Sequence, residues 1–372
     1  MNFDFSDEQK MLREQVRHLL RDKVSYSGLR KMHDAGALFD RALWKEAAHM
    51  GLQGAAVPEI YGGVGLGELD LCVIAEEIGR AVAPLPFSSS VFLATEAIKL
   101  AGSEEQRQRY LPGLATGEKV GTFALAEGPF CGRAVDITTR CEDGRLTGTK
   151  LPVPDATDAD IAVIAARTAA GNIVLTVLAL KADGVRVEPV SSFDPFRPLA
   201  RLVLNNAEAE VLGSEQNGED ALARLLDRAA VYTAFEQIGG ADASLEMARD
   251  YALERLVFGR PIAAFQAIKH KLADMLAKNE IARSNAWYAG WALESAPEEL
   301  PLAAAAARIS ATEAYEFASR ENLHVHGGIG YTWEADAHFH YRRARLLALS
   351  LGPVGTWSER LMNALEQRQQ IA

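Results

Sequence analysis

Residues 324–345 read HVHGGIGYTWEADAHFHYRRAR and follow an alanine-rich run, residues 302–323, whose composition is typical of a helix. The stretch interrupts that run with three glycines in four positions: Gly327, Gly328 and Gly330. Glycine adopts backbone angles that other residues resist and permits close approach of another group. The pattern therefore predicts that a long helix ends here in a turn of special geometry.

A glutamate follows the glycines in the company of two large aromatic residues. Glu334 is adjacent to Trp333 and lies three positions after Tyr331. A carboxylate in an apolar pocket has a raised pKa, because burial disfavours its charged form, and a general base benefits from such a shift. Spacing alone favours another interpretation, in which Glu334 begins a helix with its charge favourable at the N-terminus. A second stretch changes this balance.

The second stretch, residues 251–275, reads YALERLVFGRPIAAFQAIKHKLADM. It predicts a helix up to Arg255, a break at Gly259 and Pro261, and a second helix with apolar positions at helical spacing. Together with the glycine–glutamate stretch it resembles the acyl-CoA dehydrogenase family of flavoproteins. The matching positions are Tyr251, Ala252, Arg255, Phe258, Gly259, Pro261, Ile262, Phe265, Gln266, His270, Ala273, Asp274 and Met275.

Three segments of different character divide the chain. Residues 1–120 read as helices, with a cap at Ser6 and Gln9. Residues 121–214 are β-branched and alternating, with turns at 142–144 and 182–184, and residues 215–372 are helical again. We therefore expect an α+β fold like that of acyl-CoA dehydrogenases, with an antiparallel β-barrel or sandwich between an N-terminal helical domain and a C-terminal helical bundle. The glycines of residues 62–65 predict a helix–helix connection, since no strand precedes them.

The resemblance implies an FAD-dependent enzyme that removes the α-proton of an acyl-CoA thioester and passes a hydride to flavin N5. It implies that Glu334 is the base, and the alternative family position for the base, near Arg228, has no carboxylate. It also implies that five residues bind FAD, in part that of a neighbouring subunit: Arg255, Phe258, Gln266, Gly327 and Gly328. Arginine suits the pyrophosphate because its planar fork stays charged and pairs with phosphate oxygens.

The middle segment departs from the family pattern. Where the family has a Thr-Glu-Pro-x-x-Gly-Ser-Asp loop over the flavin, residues 126–133 read AEGPFCGR, which keeps the acid and loses the hydroxyls. Where the family has Trp-Ile-Thr, residues 151–154 read LPVP, and proline has neither an N–H nor a hydroxyl. The chain thus keeps the residues that bind a neighbour's FAD and loses those that hold its own flavin ring. This asymmetry resembles bacterial heteromeric acyl-CoA dehydrogenases that act on bulky, sterol-type acyl-CoAs. Arg343, where most relatives carry Asp, is also similar to that branch.

Composition excludes several classes of function. The chain has 372 residues, 48% hydrophobic and 24% charged, with a net charge of -11, so general binding to nucleic acid is not expected. Three cysteines without metal-ligand spacing suggest a reducing compartment. Residues 1–15 are too charged for a signal peptide and no run is long enough for a membrane span, so we expect a cytoplasmic protein. No metal site is expected, because His338 and His340 would point to different faces of a helix.

Three functions remain after these exclusions. The first is an acyl-CoA dehydrogenase that uses Glu334 as base and electron-transferring flavoprotein as acceptor. The second is a non-catalytic subunit that completes the FAD site of a partner chain through Arg255, Phe258 and Gln266. A flavin oxidase or monooxygenase on the same fold is a third, which the presence of Glu334 disfavours. The assembly is expected to be a homodimer, a homotetramer or a heterotetramer with a second chain of the same family.

Overall fold

The computed structural model describes residues 6–37, 39–128 and 133–371, with side chains up to residue 368. Helices precede and follow a central set of strands, as predicted. The helices are α1 (Asp7–Lys23), α2 (Tyr26–Asp34), α3 (Arg41–His49), α4 (Glu68–Arg80), α5 (Phe87–Ser89), α6 (Glu96–Ala101), α7 (Glu104–Ala115), α8 (Gly218–Glu254), α9 (Gln266–Ser295), α10 (Leu300–His326), α11 (Ala337–Leu349) and α12 (Val354–Ile371).

The predicted cap at the start of the chain is confirmed. The Ser6 hydroxyl accepts a hydrogen bond from the Gln9 N–H at 3.2 Å, and the Gln9 side chain accepts one from the Ser6 N–H at 3.1 Å. Each side chain satisfies a backbone donor that the first turn of α1 leaves without a helical partner. The helix therefore begins where the sequence indicates.

A single sheet of eight strands forms the middle of the chain. Its strands are β1 (Gly121–Ala124), β2 (Arg140–Glu142), β3 (Arg145–Pro154), β4 (Ile161–Thr168), β5 (Ile173–Ala179), β6 (Val185–Val190), β7 (Leu199–Glu208) and β8 (Glu210–Val211). The order is β6-β7-β3-β2-β4-β5-β8, with β1 also paired to β4. The pairs β1–β4 and β2–β4 are parallel and the others are antiparallel. The sheet is therefore mostly antiparallel, which confirms the predicted fold class. The two parallel pairs were not predicted, because alternation in sequence does not encode the direction of pairing.

The glycine-rich segment before α4 is a connection between helices, as predicted. The N–H groups of Gly63, Val64 and Gly65 donate to the carbonyl oxygens of Pro58, Gly54 and Val57. A Cβ at Gly63 would lie 2.0 Å from the Val57 carbonyl oxygen, so only glycine fits. Because these donors are bonded within the loop, it does not offer the free N–H groups that a phosphate cradle needs.

By compactness the chain divides into two units. The helical unit comprises Met1–Arg30, Glu68–Ala83 and Ala230–Ala372, and the sheet unit comprises Lys31–Gly67 and Pro84–Ala229. This division assigns parts of the N-terminal helical segment to each unit. None of the described helices is long and apolar enough to cross a bilayer.

Small residues allow the long helices of the helical unit to pack closely. A Cβ at Gly79 of α4 would lie 1.8 Å from the Glu236 carbonyl oxygen of α8, and a Cβ at Gly239 would lie equally close to the Glu76 carbonyl oxygen. The two helices therefore meet backbone to backbone. One core cluster then joins α8, α9, α10 and α11; it contains Ala241, Ala248, Ala252, Met275, Tyr315, Ala318, Val325, Ala344 and Leu347.

Candidate active site and cofactor-binding segments

A short hairpin after α8 carries Arg255 and Phe258. Its strands are β9 (Leu256–Val257) and β10 (Arg260–Pro261), and Phe258 and Gly259 at the tip have φ of 53° and 75°. Positive φ at both central residues is the geometry of a two-residue hairpin turn, but it is unusual for a bulky residue such as phenylalanine. The Phe258 side chain is 93% exposed, so nothing in the described chain covers it.

Arg255 and Gln266 are both exposed at the two ends of this connection. The Arg255 carbonyl oxygen accepts a hydrogen bond from the Ile262 N–H at 2.9 Å, which closes the hairpin, while the guanidinium has no ion pair to any described residue. Gln266 is the first residue of α9, and Phe265 before it provides no side-chain cap. The free N–H groups and the dipole of a 30-residue helix favour an anion at this end.

The predicted glycine turn lies at the end of α10. Residues Gly327–Tyr331 form a 3-10 turn, and Gly327 has φ 68° and ψ -145°, a conformation that residues with a Cβ rarely adopt. A Cβ at Gly327 or Gly328 would meet no atom within 4 Å, whereas one at Gly330 would lie 2.7 Å from the Leu323 carbonyl oxygen. Gly330 thus closes the turn, and the backbone of the first two glycines is not covered by any described atom.

The hairpin and the glycine turn belong to one packed region. The rings of Tyr251 and His326 stack with centroids 4.1 Å apart, which joins the last turn of α8 to the last residue of α10. Ile262 and Val325 also belong to the same apolar cluster. Uncapped helix N–H groups, a free arginine and an open glycine backbone fit the pyrophosphate of the FAD that the resemblance implies.

Glu334 lies on the turn between the glycines and α11, where its side chain is exposed. Its own N–H and the Thr332 hydroxyl hold the pKa of this carboxyl below its usual range, and the charge of Arg30 contributes. The Trp333 ring stacks on His338 at 4.7 Å instead of covering the carboxylate. The predicted apolar pocket with a raised pKa is therefore wrong for the described chain, and the predicted start of α11 at Glu334 is three residues early.

An arginine that the sequence does not mark holds this turn in place. Arg30 of α2 donates from Nε to the Trp333 carbonyl oxygen at 3.0 Å and from Nη2 to the Glu334 carbonyl oxygen at 2.8 Å. The same Nη2 donates to Asp336 at 2.7 Å, and the guanidinium lies over the Phe339 ring. No local pattern indicates this role, because Arg30 is an ordinary basic residue of a short helix.

In the sheet unit, Glu127, the acid of the loop that departs from the family pattern, has a buried partner. Lys150 is fully buried and donates from Nζ to Glu127 at 2.6 Å. Burial lowers the pKa of Lys150 to about 8 although Glu127 favours its charged form. Burial opposes ionisation of Glu127 as well, but Lys150 and the hydrogen bonds from Thr138 and Thr139 lower its pKa to about 2.

The second departure leaves few donors at the position of the family's Trp-Ile-Thr. The Leu151 N–H donates to the Ala126 carbonyl oxygen at 2.7 Å, and Pro152 and Pro154 have no N–H. Of residues 126–133, which the sequence comparison with the family singles out, positions 129–132 lie outside the described residues.

The histidines near Glu334 bind to protein groups. His340 is buried between two phenols, with Nε2 2.9 Å from the Tyr26 hydroxyl and Nδ1 3.1 Å from the Tyr315 hydroxyl. Burial lowers its pKa to about 3, so the imidazole is neutral. Among the described residues, no group of three or more His, Cys, Asp or Glu side chains is arranged to hold a metal ion.

Comparison with known proteins connects these segments to one family. Residues 6–118 match the N-terminal domain of acyl-CoA dehydrogenases and residues 216–364 match their C-terminal domain. The chain is 31% identical to acyl-CoA dehydrogenase IpdE2 of Mycobacterium tuberculosis over 91% of each chain. It is similar in structure to a steroid ACAD variant, Tcur3481-Tcur3483, with 31% identity, a TM-score of 0.89, and coverage of 98% of this chain and 99% of the other.

A further solved structure has the same fold, the ChsE4-ChsE5 complex from Mycobacterium tuberculosis. The TM-score is 0.88 at 27% identity, over 98% of this chain and 99% of the other. Both domain matches, the identity along nearly the whole length and the shared fold agree with each other. The chain therefore belongs to the acyl-CoA dehydrogenase family, FAD-dependent flavoproteins that oxidise a CH–CH bond of acyl-CoA thioesters.

Proposed function

We propose that the chain catalyses α,β-desaturation of an acyl-CoA thioester with Glu334 as the base. The observation that supports this role is an exposed carboxylate, ionised at neutral pH, on a turn whose backbone Arg30 holds. No described residue forms an ion pair with Glu334, so the carboxylate is free to accept a proton. A carboxylate in that state needs no prior deprotonation.

In this proposal the protein accepts the proton and the cofactor accepts the hydride. FAD, when bound, accepts the hydride from the β-carbon. Glu334 accepts the α-proton, which leaves the thioester as a 2-enoyl-CoA. Arrival of an acyl chain would remove water from the exposed carboxylate and raise its pKa, which strengthens it as a base in the complex.

We further propose that Arg255, Phe258, Gln266, Gly327 and Gly328 bind FAD across a subunit interface. Support comes from the exposed guanidinium, the uncapped start of α9 and the open glycine backbone. The positive φ of Phe258 also supports it, because strained backbone is kept mainly where function requires it. Another copy of this chain, or a second chain of the same family, would supply the flavin.

One observation favours the non-catalytic alternative. At residues 151–154 the described backbone offers little to a flavin, since the Leu151 N–H is already bonded to Ala126 and two of the other residues are prolines. A chain that holds no flavin ring of its own would complete a partner's site instead. The similarity to the steroid ACAD variant and to the ChsE4-ChsE5 complex supports a heteromeric assembly and a bulky acyl group.

The experiment that tests the catalytic proposal replaces Glu334 by Gln in the assembled protein. We expect the rate of flavin reduction by acyl-CoA to fall by at least about 100-fold, because the amide cannot accept the proton. The control is Glu313→Gln, an exposed glutamate of α10, which should keep the rate. A rate that survives Glu334→Gln would reject this residue as the base and favour the non-catalytic role.

Assays of flavin reduction and reoxidation also test which acyl-CoA is the substrate and which protein is the electron acceptor. Butanoyl-CoA, octanoyl-CoA and a steroid-carboxylate CoA thioester should be compared, with the steroid thioester expected to reduce the flavin fastest. Electron-transferring flavoprotein is the acceptor we propose, on the strength of family membership. Reoxidation of the reduced protein by that flavoprotein, measured against oxygen alone, tests this choice and separates a dehydrogenase from an oxidase.

A further inference from the structure

Proton abstraction next to a carbonyl places negative charge on the carbonyl oxygen. A hydrogen-bond donor fixed at that oxygen before the reaction stabilises the charge more than a mobile donor does. The backbone donor closest to the proposed base is its own N–H. Among the described residues, the Glu334 N–H is bonded only to the carboxylate of its own residue. A ligand oxygen can replace that exposed carboxylate as its acceptor.

The direction of this N–H is set by the peptide group between Trp333 and Glu334. In a planar trans peptide the C=O and N–H bonds point in opposite directions. The Trp333 oxygen accepts the hydrogen bond from Arg30 Nε at 3.0 Å, so the Glu334 N–H points away from Arg30. The bond to the Glu334 oxygen at 2.8 Å restrains the next peptide group as well. Two neighbouring peptide planes are thus held by one rigid guanidinium.

Arg30 is itself held firmly. Its side chain is 21% exposed, pairs with Asp336 at 2.7 Å and lies 5.4 Å from the Phe339 ring centroid. Tyr26, one turn earlier in α2, stacks on the same ring and donates to or accepts from His340. A positive group on the Trp333 oxygen also polarises that peptide and strengthens its N–H as a donor.

We propose that Arg30 is a positioning residue that directs the Glu334 N–H at the thioester carbonyl of the substrate. This inference rests on the proposed function, since it assigns Glu334 to the reacting end of the ligand. Arg30 does not touch the substrate; it acts through the peptide plane. A lysine at this position keeps the charge but, with one nitrogen, does not hold both carbonyl groups in the same geometry.

Binding of paired ligands to the FAD-loaded assembly tests this role. The probes are 2-butenoyl-CoA and a steroid 2-enoyl-CoA, each paired with the matching thioether in which CH2 replaces the carbonyl. Calorimetry measures the affinity of each ligand. We expect the wild type to bind each thioester more tightly than its thioether. Arg30→Met should lose about tenfold of that preference while its affinity for the thioether is retained. Arg30→Lys should show an intermediate preference. Arg345→Met, which removes an ion pair with Glu316 in the same unit, should keep the preference.

The outcomes separate this inference from the proposed function. Three results would each overturn the role of Arg30: equal weakening of thioester and thioether binding in Arg30→Met, an unchanged preference for the thioester in that variant, or no such preference in the wild type. If Arg30→Met does not fold, Arg30→Lys decides by the same criterion, because it retains the charge opposite Asp336. Glu334→Gln keeps the N–H, so activity in that variant would reject the base while the thioester preference still reports on Arg30.

Discussion

Buried Lys150 and partly buried Glu127 form an ion pair, with 2.6 Å between Nζ and Oε1, beside the segment where this chain departs most from its family. Glu127 also accepts hydrogen bonds from the N–H groups of Thr138 and Thr139, at 2.8 and 2.9 Å, and thereby connects β3 to both sides of residues 129–132. Its carboxylate has a structural task. The presence of this acid is therefore no sign that the flavin-covering function of the loop is retained.

Replacement of Lys150 by Met should destabilise the protein by roughly 1–3 kcal/mol, because it leaves the partly buried Glu127 carboxylate without its counter-ion. The pKa of Glu127 is lowered to about 2, so its contribution to stability is present above the ordinary glutamate pKa and is lost progressively as the pH falls from that value to about 2. The variant should lose this acid-dependent component. Urea unfolding between pH 3 and 7 measures it, with the exposed Lys119→Met as control; equal pH profiles would contradict the prediction.

Arg255→Ala should lower FAD retention at least about tenfold, since a charge-assisted bond to phosphate is lost. The control is Arg249→Ala in α8, whose guanidinium pairs with Asp250 on the surface. Gel filtration followed by the ratio of flavin to protein absorbance gives the result. Both catalytic and non-catalytic roles of the chain require this loss, so retention equal to the control would remove Arg255 from the cofactor site.

The two exposed glycines of the turn should respond differently to alanine. Gly327→Ala places a Cβ in a backbone conformation that costs about 1–3 kcal/mol, whereas Gly328→Ala meets no described atom and has no positive φ. We expect thermal destabilisation only at residue 327 and loss of FAD affinity at both. Normal FAD binding by Gly328→Ala would show that the dinucleotide does not approach this backbone.

Arg343 and Glu236 form a fully buried ion pair with 3.5 Å between Nη1 and Oε1. Arg343→Met alone should cost about 3–5 kcal/mol because the carboxylate of α8 remains buried. The double variant Arg343→Met with Glu236→Gln should recover a large part of that loss. Denaturant midpoints of the single and double variants test the coupling, and simple additivity would argue that the two side chains act independently.

The pH dependence of kcat/KM reports on Glu334 in the free protein. Its pKa is lowered by its own N–H and by Thr332, so the carboxylate stays ionised down to pH values below 4.5. A base that is ionised above its pKa gives no loss of activity from this group between pH 5 and 8. Stopped-flow flavin reduction at low substrate concentration measures the profile, with the exposed Glu313→Gln of α10 as the control. An acidic limb near pH 6–7 that vanishes in Glu334→Gln would contradict the lowered pKa.

Local preferences allowed the fold to be predicted from sequence in considerable detail. The Ser6–Gln9 cap, the break at Gly259 and Pro261, the end of α10 at Gly327 and the change to strands near residue 121 all depend on a few adjacent residues. Propensities, caps and glycine conformations act over that range. The parallel pairing of β1 with β4 was not predictable, because it depends on how the helices before β1 bring that strand to the sheet.

The candidate site also separates features that adjacent residues determine from features that depend on distant parts of the chain. Sequence by itself determined which residues we propose for the chemistry: Glu334 after the glycines, and Arg255, Phe258 and Gln266 around one hairpin. Only the tertiary structure decided the state of Glu334 and the partner of its turn, since Arg30 is 304 positions away along the chain. A pKa and a hydrogen-bond direction depend on the charges and dipoles that folding brings near a group, and those neighbours are not encoded in its local sequence.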